Sequence, residues 1–435
     1  MNLDLYLVYG LVVLYALCYQ LQSPVEPFLV DKLLNASSSD SAAESAAAYG
    51  RLKSFFSITQ SFGSLAFGYL LDKFGVRRGL AINFLACATC YYILSITDSI
   101  EMLYLSRVPG IAMAGFLCAQ TAIIKLTKPG SERLVAMGRL TTSYTIGGVM
   151  GPYLGGQLGK SGDYSIGARY ATYGSLLCVA LVFALPESID AAAEVEPESS
   201  KKEKKSQNSS GASSSWIGGV WSVLSLVWLY LFVKLVSSIG NSMARSAQPL
   251  ILKELGVDEA RMGMIMSAQF AFGGFANGFL LKPVTAMLGG HVSVVVRNCI
   301  LVMGAVYVIQ ALNYSSILPI GLTGQEYFIG AMMFLAIFQY SLGTSITTKT
   351  SSIVPKKMQG TLMGMEHSLF AVAYMVGPTA GVSALTAGGI AGLSATCGAI
   401  FFVVLTVWFF FHDTKEDSDD DMEGGEDEGE DKKSQ

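Results

Sequence analysis

Charge is scarce in this chain. Only 14% of its 435 residues are charged, whereas a soluble globular domain carries roughly a quarter. Much of that charge lies in residues 194–205 and in the tail after His412, so the net charge of −4 says little about a substrate. Over half of the chain, 51%, is hydrophobic. The shortage of charge argues against an ordinary soluble protein and favours a chain of successive membrane spans.

Signatures of metal, cofactor and nucleotide chemistry are also lacking. All seven cysteines lie inside apolar runs, so we expect no disulfide framework. Cys87 and Cys90 form a C-x-x-C pair, but no other Cys or His is spaced to complete a metal or redox site, and packing within a helix surface is favoured. No G-x-x-x-x-G-K-[ST] loop is present. We expect no metal, no cofactor, no nucleic-acid partner, no enzymatic activity and no ATP-driven transport.

Twelve apolar runs are long enough to cross about 30 Å of hydrocarbon. The first, residues 5–21, lacks the basic region and cleavage site of a signal peptide, so we expect a retained helix. The runs begin near Leu5, Arg51, Arg77, Met102, Ala136, Ala168, Ile217, Met262, Val292, Gln325, Thr361 and Ala391. This pattern predicts an all-α membrane protein with 12 transmembrane helices in two pseudo-symmetric six-helix lobes.

Two polar stretches separate the predicted parts of the chain. Residues 187–215 contain four lysines and many serines, and residues 413–435 are strongly acidic; such stretches bury too little apolar surface to fold. We therefore predict an N-terminal lobe at 1–186, a disordered cytoplasmic linker at 187–215, a C-terminal lobe at 216–412 and a disordered acidic cytoplasmic tail at 413–435. The linker and the tail are candidate binding segments for cytoplasmic partners.

The distribution of Lys and Arg predicts the orientation. If both termini are cytoplasmic, sixteen of these residues lie on the cytoplasmic side outside the tail and seven on the opposite side. An excess of positive charge marks the cytoplasmic side. In that orientation the sequons at Asn35 and Asn313 face the far side and the one at Asn208 faces the cytoplasm. The plasma membrane and an endomembrane both remain open as locations.

The joint between the second and third predicted spans carries a charged motif. It reads G-x-L-x-D-K-x-G-x-R-R and comprises Gly68, Leu70, Asp72, Lys73, Gly75, Arg77 and Arg78. This spacing resembles the loop signature of the major facilitator superfamily, transporters whose two six-helix halves rock about a central site. The resemblance implies that Asp72 contacts the neighbouring arginines and the start of helix 11, and so latches the lobes while the site faces outward. The alternative is that these charges only anchor the topology.

Two further motifs resemble signatures of the same superfamily. Arg107 and Gly110 match the helix-4 signature, in which the arginine is either a buried cation for proton or substrate coupling or a side chain that snorkels to the interface. The helix-5 motif of the proton-coupled antiporters is matched by Gly147, Gly151, Pro152 and Gly155. The three glycines share one helical face and permit close backbone approach. We expect this face at the interface between the lobes.

Polar residues inside the spans are candidates for coupling and substrate binding, because a charge within a membrane is costly. They are Glu26, Lys234, Asn241, Arg245, Gln248, Glu366 and His367. Lys234 and Glu366 are of most interest, since an acid and a base in a water-filled cavity can exchange a proton; a satisfied structural pair is the alternative. We expect helix 7 to unwind from Asn241 onward and Glu26 to close helix 1. Four glutamines could bind a substrate or serve packing: Gln60, Gln120, Gln269 and Gln339.

Longer segments resemble particular branches of the superfamily. The sequences Met137-Gly138-Arg139-Leu140 and Gly360-Thr361-Leu362-Met363-Gly364 are similar to organic cation transporter-like members of solute carrier family 22 and to tetracycline–proton antiporters. The resemblance implies a monomeric secondary active transporter, surrounded by membrane lipids, that moves a small organic solute by alternating access with proton-coupled efflux or antiport. The solute is expected to be cationic or amphipathic. Two alternatives remain open: an uncoupled facilitator, and a transporter-like scaffold or regulatory protein without transport.

Overall fold

A computed structural model describes residues 3–35, 42–127, 131–186, 212–288, 291–315, 324–355 and 358–411. Within these ranges all regular structure is helical. The predicted tail and most of the predicted linker lie outside the described residues, so their predicted disorder is untested. A helix begins at Ala212, within the range 187–215 that was predicted as linker.

Among the described residues, the first half of the chain forms eight helices. They are α1 (Leu3–Leu21), α2 (Glu26–Asn35), α3 (Ala42–Phe74), α4 (Val76–Ser95), α5 (Ile100–Leu105), α6 (Gly115–Leu126), α7 (Ser131–Gly159) and α8 (Ile166–Val182). A 3-10 turn, Val108–Ala112, lies between α5 and α6. The fourth predicted span is thus interrupted by this 3-10 turn. The first predicted span, residues 5–21, lies within α1, and a turn at residues 22–25 separates it from α2.

The second half forms longer helices. They are α9 (Ala212–Glu254), α10 (Glu259–Phe275), α11 (Leu281–Met287), α12 (Val292–Tyr314), α13 (Gln325–Ile353) and α14 (Gln359–Phe411), with a π-helical stretch at Ala276–Leu280 between α10 and α11. α14 contains the last two predicted spans, separated at Gly389, where φ is 61°. Glycine suits that position because the left-handed region is unfavourable for residues with a Cβ atom.

Six described stretches are at once long and apolar enough to cross a membrane. They are Leu3–Leu34, Ile100–Leu126, Trp221–Glu254, Val292–Tyr314, Gln325–Ile353 and Ser368–Phe411. Large apolar side chains also lie on the outside of the protein: Phe402 is 68% exposed and Phe410 is 80% exposed. Extended apolar surface of this kind is stable against lipid rather than water.

Packing divides the chain into two compact units. Unit 1 comprises Met1–Ser213, Arg245–Gly274 and Tyr374–Thr386. Unit 2 comprises Ser214–Ala244, Phe275–Ala373 and Ala387–Gln435. Unit 1 therefore joins the first half of the sequence to the end of α9, to α10 and to a middle section of α14. The division of the sequence into lobes at 1–186 and 216–412 stays a prediction.

In unit 1, α7 packs directly on α1 through its glycines. A Cβ atom at Gly147 would lie 2.3 Å from the carbonyl oxygen of Val13, and one at Gly155 would lie 1.8 Å from that of Leu21. Gly151 contacts α1 between them. The expectation that this face lies between the lobes was wrong. Three glycines at a spacing of four form a continuous groove, and the backbone that fills it belongs to α1.

The adjacent face of α7 makes the contact with the second half of the sequence. A Cβ atom at Gly156 would lie 2.9 Å from Cα of Gly263 in α10, and one at Gly263 would lie 2.3 Å from the carbonyl oxygen of Pro152. Gly148 lies against the ring of Phe270, also in α10. Pro152 and its neighbours thus bring two helices into backbone contact within unit 1.

The expected unwinding of helix 7 is wrong. α9 remains helical from Asn241 to Glu254, and its non-helical backbone lies earlier, at Val227, where φ is −128° and ψ is 22°. A helix satisfies its backbone hydrogen bonds internally, which matters more in a membrane than the low helix propensity of Ser and Gly. The breaks that do occur near buried charges are in the first half.

The core of unit 2 is aromatic where α9, α12 and α14 meet. The rings of Tyr307 and Phe401 stack with centroids 5.7 Å apart, and those of Tyr230 and Trp408 meet edge to face at 5.6 Å. Gly240 allows the Phe401 ring to approach α9 within 3.4 Å of where a Cβ atom would be. This packing fixes α9 and α14 side by side, and both carry charged residues of the candidate site.

Candidate functional site

The first buried charge cluster, called the Glu26 cluster, comprises Glu26, Lys53 and Arg107 in unit 1. Glu26 is only 3% exposed. Its Oε1 accepts a hydrogen bond from Nη2 of Arg107 at 2.5 Å, and its Oε2 pairs with Nζ of Lys53. The Arg107 guanidinium also lies 5.4 Å from the centroid of the Phe56 ring, and Lys53 lies over Tyr49 at the same distance. One carboxylate therefore holds two cations.

A turn after the first expected span and a break within the fourth create this contact. Glu26 follows the turn at residues 22–25 and opens α2, so it does not close helix 1 as predicted. Arg107 immediately precedes the 3-10 turn. Gly110 in that turn lets it approach α3, because a Cβ atom there would lie 2.8 Å from Cε2 of Phe56. Interrupted helices are a recurrent way to place polar groups inside a membrane.

A small pocket opens onto the Glu26 cluster. Its walls include the aromatic rings of Tyr19, Phe56 and Tyr91 and the amide of Gln22. The Arg107 side chain is 8% exposed beside it, so it is buried in protein and does not snorkel to the interface.

The second cluster, called the Lys234 cluster, comprises Lys234, Thr347, Thr350 and Glu366 in unit 2. Nζ of Lys234 lies 2.6 Å from Oε2 of Glu366 and donates a hydrogen bond to Oγ1 of Thr347 at 2.8 Å. Thr350 donates from Oγ1 to Oε1 of Glu366 at 3.2 Å. The side chains of Lys234 and Glu366 are 6% and 7% exposed. The cluster thus ties α9, α13 and α14 together through one buried ion pair.

The two threonines of this cluster were not found from the sequence. Threonine is common in membrane helices, where its hydroxyl usually bonds to its own backbone. Thr350 does this as well, because its single hydroxyl proton is shared between Oε1 of Glu366 and the carbonyl oxygen of Ile346, 3.0 Å away. That Thr350 also donates to the carboxylate of Glu366 becomes visible only in the structure, where α14 places Glu366 opposite α13. Lys53 was also not predicted as a site residue, because the predicted topology placed it on the non-cytoplasmic side of the membrane, outside the spans.

Other predicted candidates lie apart from these clusters. Arg245 is exposed in α9, Asn241 is partly buried and Gln248 is buried. The four glutamines are partly buried in α3, α6, α10 and α13: Gln60, Gln120, Gln269 and Gln339. The described contacts of Asn241, Gln248 and the four glutamines do not join them to either cluster.

The predicted latch is described only in part. Gly68 lies in α3, and Gly75 joins α3 to α4 with φ at 83°, a conformation that favours glycine. Nη2 of Arg77 donates a hydrogen bond to the carbonyl oxygen of Phe183 at 2.8 Å, while Arg78 is exposed. The side chains of Asp72, Lys73 and His367 lie outside the described residues, so the latch stays a prediction.

Among the described residues of unit 1, polar side chains also join the two halves of the sequence, and these contacts were not predicted. Oγ of Ser54 and Oγ1 of Thr379 lie 2.7 Å apart. Lys253 pairs with Asp31. Tyr164 donates a hydrogen bond to Oε1 of Glu259 at 2.7 Å; burial and that carboxylate raise the pKa of Tyr164 to about 12, so the phenol stays a donor at neutral pH. Partners this far apart in sequence leave no local signal.

These features define a class of protein. Long apolar helices, helix breaks beside buried charges and close glycine packing are the features of a multi-pass membrane transport protein. The sequence model of the family called the Major Facilitator Superfamily matches residues 8–234 and 230–430 of this chain. The chain therefore belongs to this superfamily, and the predicted all-α membrane fold and family resemblance are confirmed.

Several curated proteins are similar to the chain. Human "Solute carrier family 67 member A1" is 32% identical over 38% of this chain and 38% of that protein, so the match spans well under two thirds of that relative. Mouse "Solute carrier family 22 member 18" is 26% identical over 77% of this chain and 79% of that protein. The "Tetracycline resistance protein, class C" of Escherichia coli is 32% identical over 36% of this chain and 38% of that protein.

Solved structures share the fold at low sequence identity. The D-xylose-proton symporter superposes with a TM-score of 0.72 at 14% identity and covers 94% of this chain and 96% of its own. The human organic anion transporter MFSD10 superposes with a TM-score of 0.61 at 16% identity and covers 93% of this chain and 98% of its own. These two proteins carry different solutes, so the fold alone does not indicate what this chain moves.

Proposed function

We propose that this chain is a secondary active transporter that moves a small organic solute by alternating access, with proton-coupled efflux or antiport. Membership of the superfamily supports transport. The observation that carries the coupling is the buried ion pair of Lys234 and Glu366.

The Lys234 cluster has the chemistry of a proton switch. When Glu366 is ionised, it accepts from Thr350 and balances the charge of Lys234. A proton on Glu366 removes that balance and leaves a buried ammonium without a counter-charge. Removing one partner of a buried ion pair costs about 3–5 kcal/mol. This is larger than the coupling free energy between two sites in a typical allosteric protein, roughly 1–3 kcal/mol. Protonation can therefore shift the packing of α9 against α13 and α14.

The solute proposed is cationic or amphipathic. The chain is similar to a tetracycline resistance protein and to a member of solute carrier family 22, and tetracycline is an amphipathic molecule. Direction of transport is proposed as outward from the cytoplasm, on the strength of the same similarity. The substrate itself is to be found by screening.

We propose that both termini are cytoplasmic and that the protein acts as a monomer. The excess of Lys and Arg in the loops on that side supports the orientation. Asp72 is then the cytoplasmic latch, and the linker and acidic tail are available to cytoplasmic partners. Glycosylation at Asn35 or Asn313 in a eukaryotic host supports this orientation, whereas glycosylation at Asn208 refutes it.

Transport in liposomes tests the coupling. The purified chain is reconstituted with a pH-sensitive dye inside, and tetracycline and tetraethylammonium are added in separate experiments. We expect a solute-dependent proton flux that Glu366→Gln reduces at least tenfold. Glu101→Gln is the matched control, because Glu101 is an exposed residue of α5 and its replacement leaves the flux unchanged.

The same assay separates the alternatives. An uncoupled facilitator moves solute at a rate indifferent to the pH gradient and to Glu366→Gln. A scaffold or regulatory protein moves none of the screened solutes, and Asp72→Asn then changes only which cellular proteins it binds. Either result refutes proton-coupled transport.

A further inference from the structure

The charges of the Glu26 cluster do not balance. One carboxylate, Glu26, serves two cations, Lys53 and Arg107. Among the residues that the structure describes, the ion pairs of both Lys53 and Arg107 are made with Glu26. Lys53 is 29% exposed at the side chain and Arg107 only 8%. A net positive charge enclosed within a membrane protein is costly unless a further anion neutralises it.

Unsatisfied donors lie beside this excess charge. Nε of Arg107 and the hydroxyl of Tyr91 are fully buried and have no hydrogen-bond partner. Both residues line the pocket together with Lys53. Buried polar atoms are almost always satisfied, so those that are not often mark the place of an absent partner. Among the described residues that line the pocket, the free groups are these two donors and one acceptor, Oε1 of Gln22. The two donors, beside an excess of positive charge, favour an anionic acceptor.

The walls of the pocket indicate what kind of acceptor fits. The rings of Tyr19 and Phe56 stack at 6.2 Å between centroids, and Tyr91 and Met113 add to this apolar part of the lining. The other lining residues are polar or small: Gln20, Gln22, Ser23 and Cys90, beside the charged groups of the cluster. An aromatic part of the lining beside two cations suits a carboxylate attached to a flat organic group. A bare inorganic anion would leave these walls unused.

We propose that the pocket at the Glu26 cluster binds the carboxylate of a small aromatic organic acid, held by Lys53, Arg107 and Tyr91. The bound carboxylate brings the charge of the cluster to zero and accepts from the two unsatisfied donors. Glu26 orients the two cations but opposes the ligand through its own negative charge. Binding at this pocket needs neither a proton gradient nor transport, so it stands or falls independently of the proposed coupling.

The negative charge of Glu26 makes the proposal testable through the direction in which its removal changes ligand affinity. If the pocket binds an anion, Glu26→Gln removes a like charge and strengthens binding, because the cluster then carries two positive charges. If the pocket instead binds a cationic solute through Glu26, the same substitution abolishes binding. The two interpretations therefore predict opposite effects of one change.

Equilibrium binding to the full chain in lipid nanodiscs tests this. Benzoate is titrated by calorimetry in HEPES buffer adjusted with N-methylglucamine, free of chloride and sulfate, and chloride is titrated in a separate arm. We expect benzoate to bind the unmodified chain, Lys53→Gln to weaken it about tenfold, the effect of one charge-assisted contact, and Lys53→Arg to restore it. Lys160→Gln, at an exposed lysine outside the cluster, is the matched control and leaves affinity unchanged.

The outcomes are decisive in either direction. Stronger benzoate binding by Glu26→Gln together with weaker binding by Lys53→Gln supports the proposal. Equal affinity of the Lys53→Gln and Lys160→Gln variants overturns it, and so does loss of binding in Glu26→Gln. Chloride binding without benzoate binding would show an inorganic anion site and would also overturn it. Lys53→Gln changes a partly exposed side chain and keeps the test valid if Glu26→Gln does not fold.

Discussion

The ion pair of Lys234 and Glu366 should make a large and non-additive contribution to stability. Lys234→Met removes the cation and leaves a buried carboxylate, and Glu366→Gln removes the carboxylate and leaves a buried ammonium. Each single change should cost about 3–5 kcal/mol, because the remaining charge is uncompensated. Both side chains are under a tenth exposed, so little of this is lost to solvent screening. The double variant removes both charges and should be more stable than the sum of the singles implies.

The free energy of unfolding can be measured by titrating the folded chain from mild detergent into a denaturing one. We expect a coupling energy of at least about 2 kcal/mol between the two substitutions, within the range found for residues in contact. Thr350→Val should cost less, about 1.5–3 kcal/mol, since it removes one hydrogen bond to a charged group. Glu101→Gln, at an exposed position, should stay within about 0.5 kcal/mol of the unmodified chain.

Additive behaviour would refute the reasoning. If each single substitution costs under about 1 kcal/mol, the pair is solvated, contrary to its burial. If the singles are costly but sum to the effect of the double variant, then the two side chains do not depend on each other. In that case protonation of Glu366 would not destabilise the buried ammonium of Lys234. The proposed proton switch would then be refuted as well.

Two further predictions concern packing in unit 1. Gly155→Ala should lower the free energy of unfolding by about 1–3 kcal/mol or more, because its Cβ would lie 1.8 Å from the carbonyl oxygen of Leu21. In the control Gly138→Ala the new Cβ meets nothing within 4 Å, so that variant should be as stable as the unmodified chain or more stable by up to about 1 kcal/mol. Equal melting temperatures of the two variants would contradict close packing of α7 on α1 at Gly155. The Ser54→Cys/Thr379→Cys double variant should form a disulfide under oxidation, because the two hydroxyl oxygens lie 2.7 Å apart. Oxidised protein should lose transport and reductant should restore it, with the single variants as controls; unchanged transport after complete cross-linking would show that this contact need not open.

Much of the fold could be predicted from the sequence, and less of the site. Apolar runs and the charged motif around Asp72 indicate the spans and the family, since both are local patterns. Lys234 and Glu366 could be singled out because a charge in a span is conspicuous. Their threonine partners, and the pairing of Glu26 with Arg107, depend on how separate helices meet. No periodicity within one helix encodes that.

The position of the helix breaks explains why sequence reasoning failed where it did. Ser and Gly around Asn241 predicted an unwound helix, yet α9 continues. The breaks at residues 22–25 and at the 3-10 turn occur where the turn residues sit beside a buried charge that needs a partner. Pro24 and Gly110 permit those breaks, but the groove of α7 on α1 holds one of them in place. Helix-breaking residues by themselves therefore predict a membrane site poorly. Helix-breaking residues next to a buried charge, on a helix held by glycine packing, predict it better.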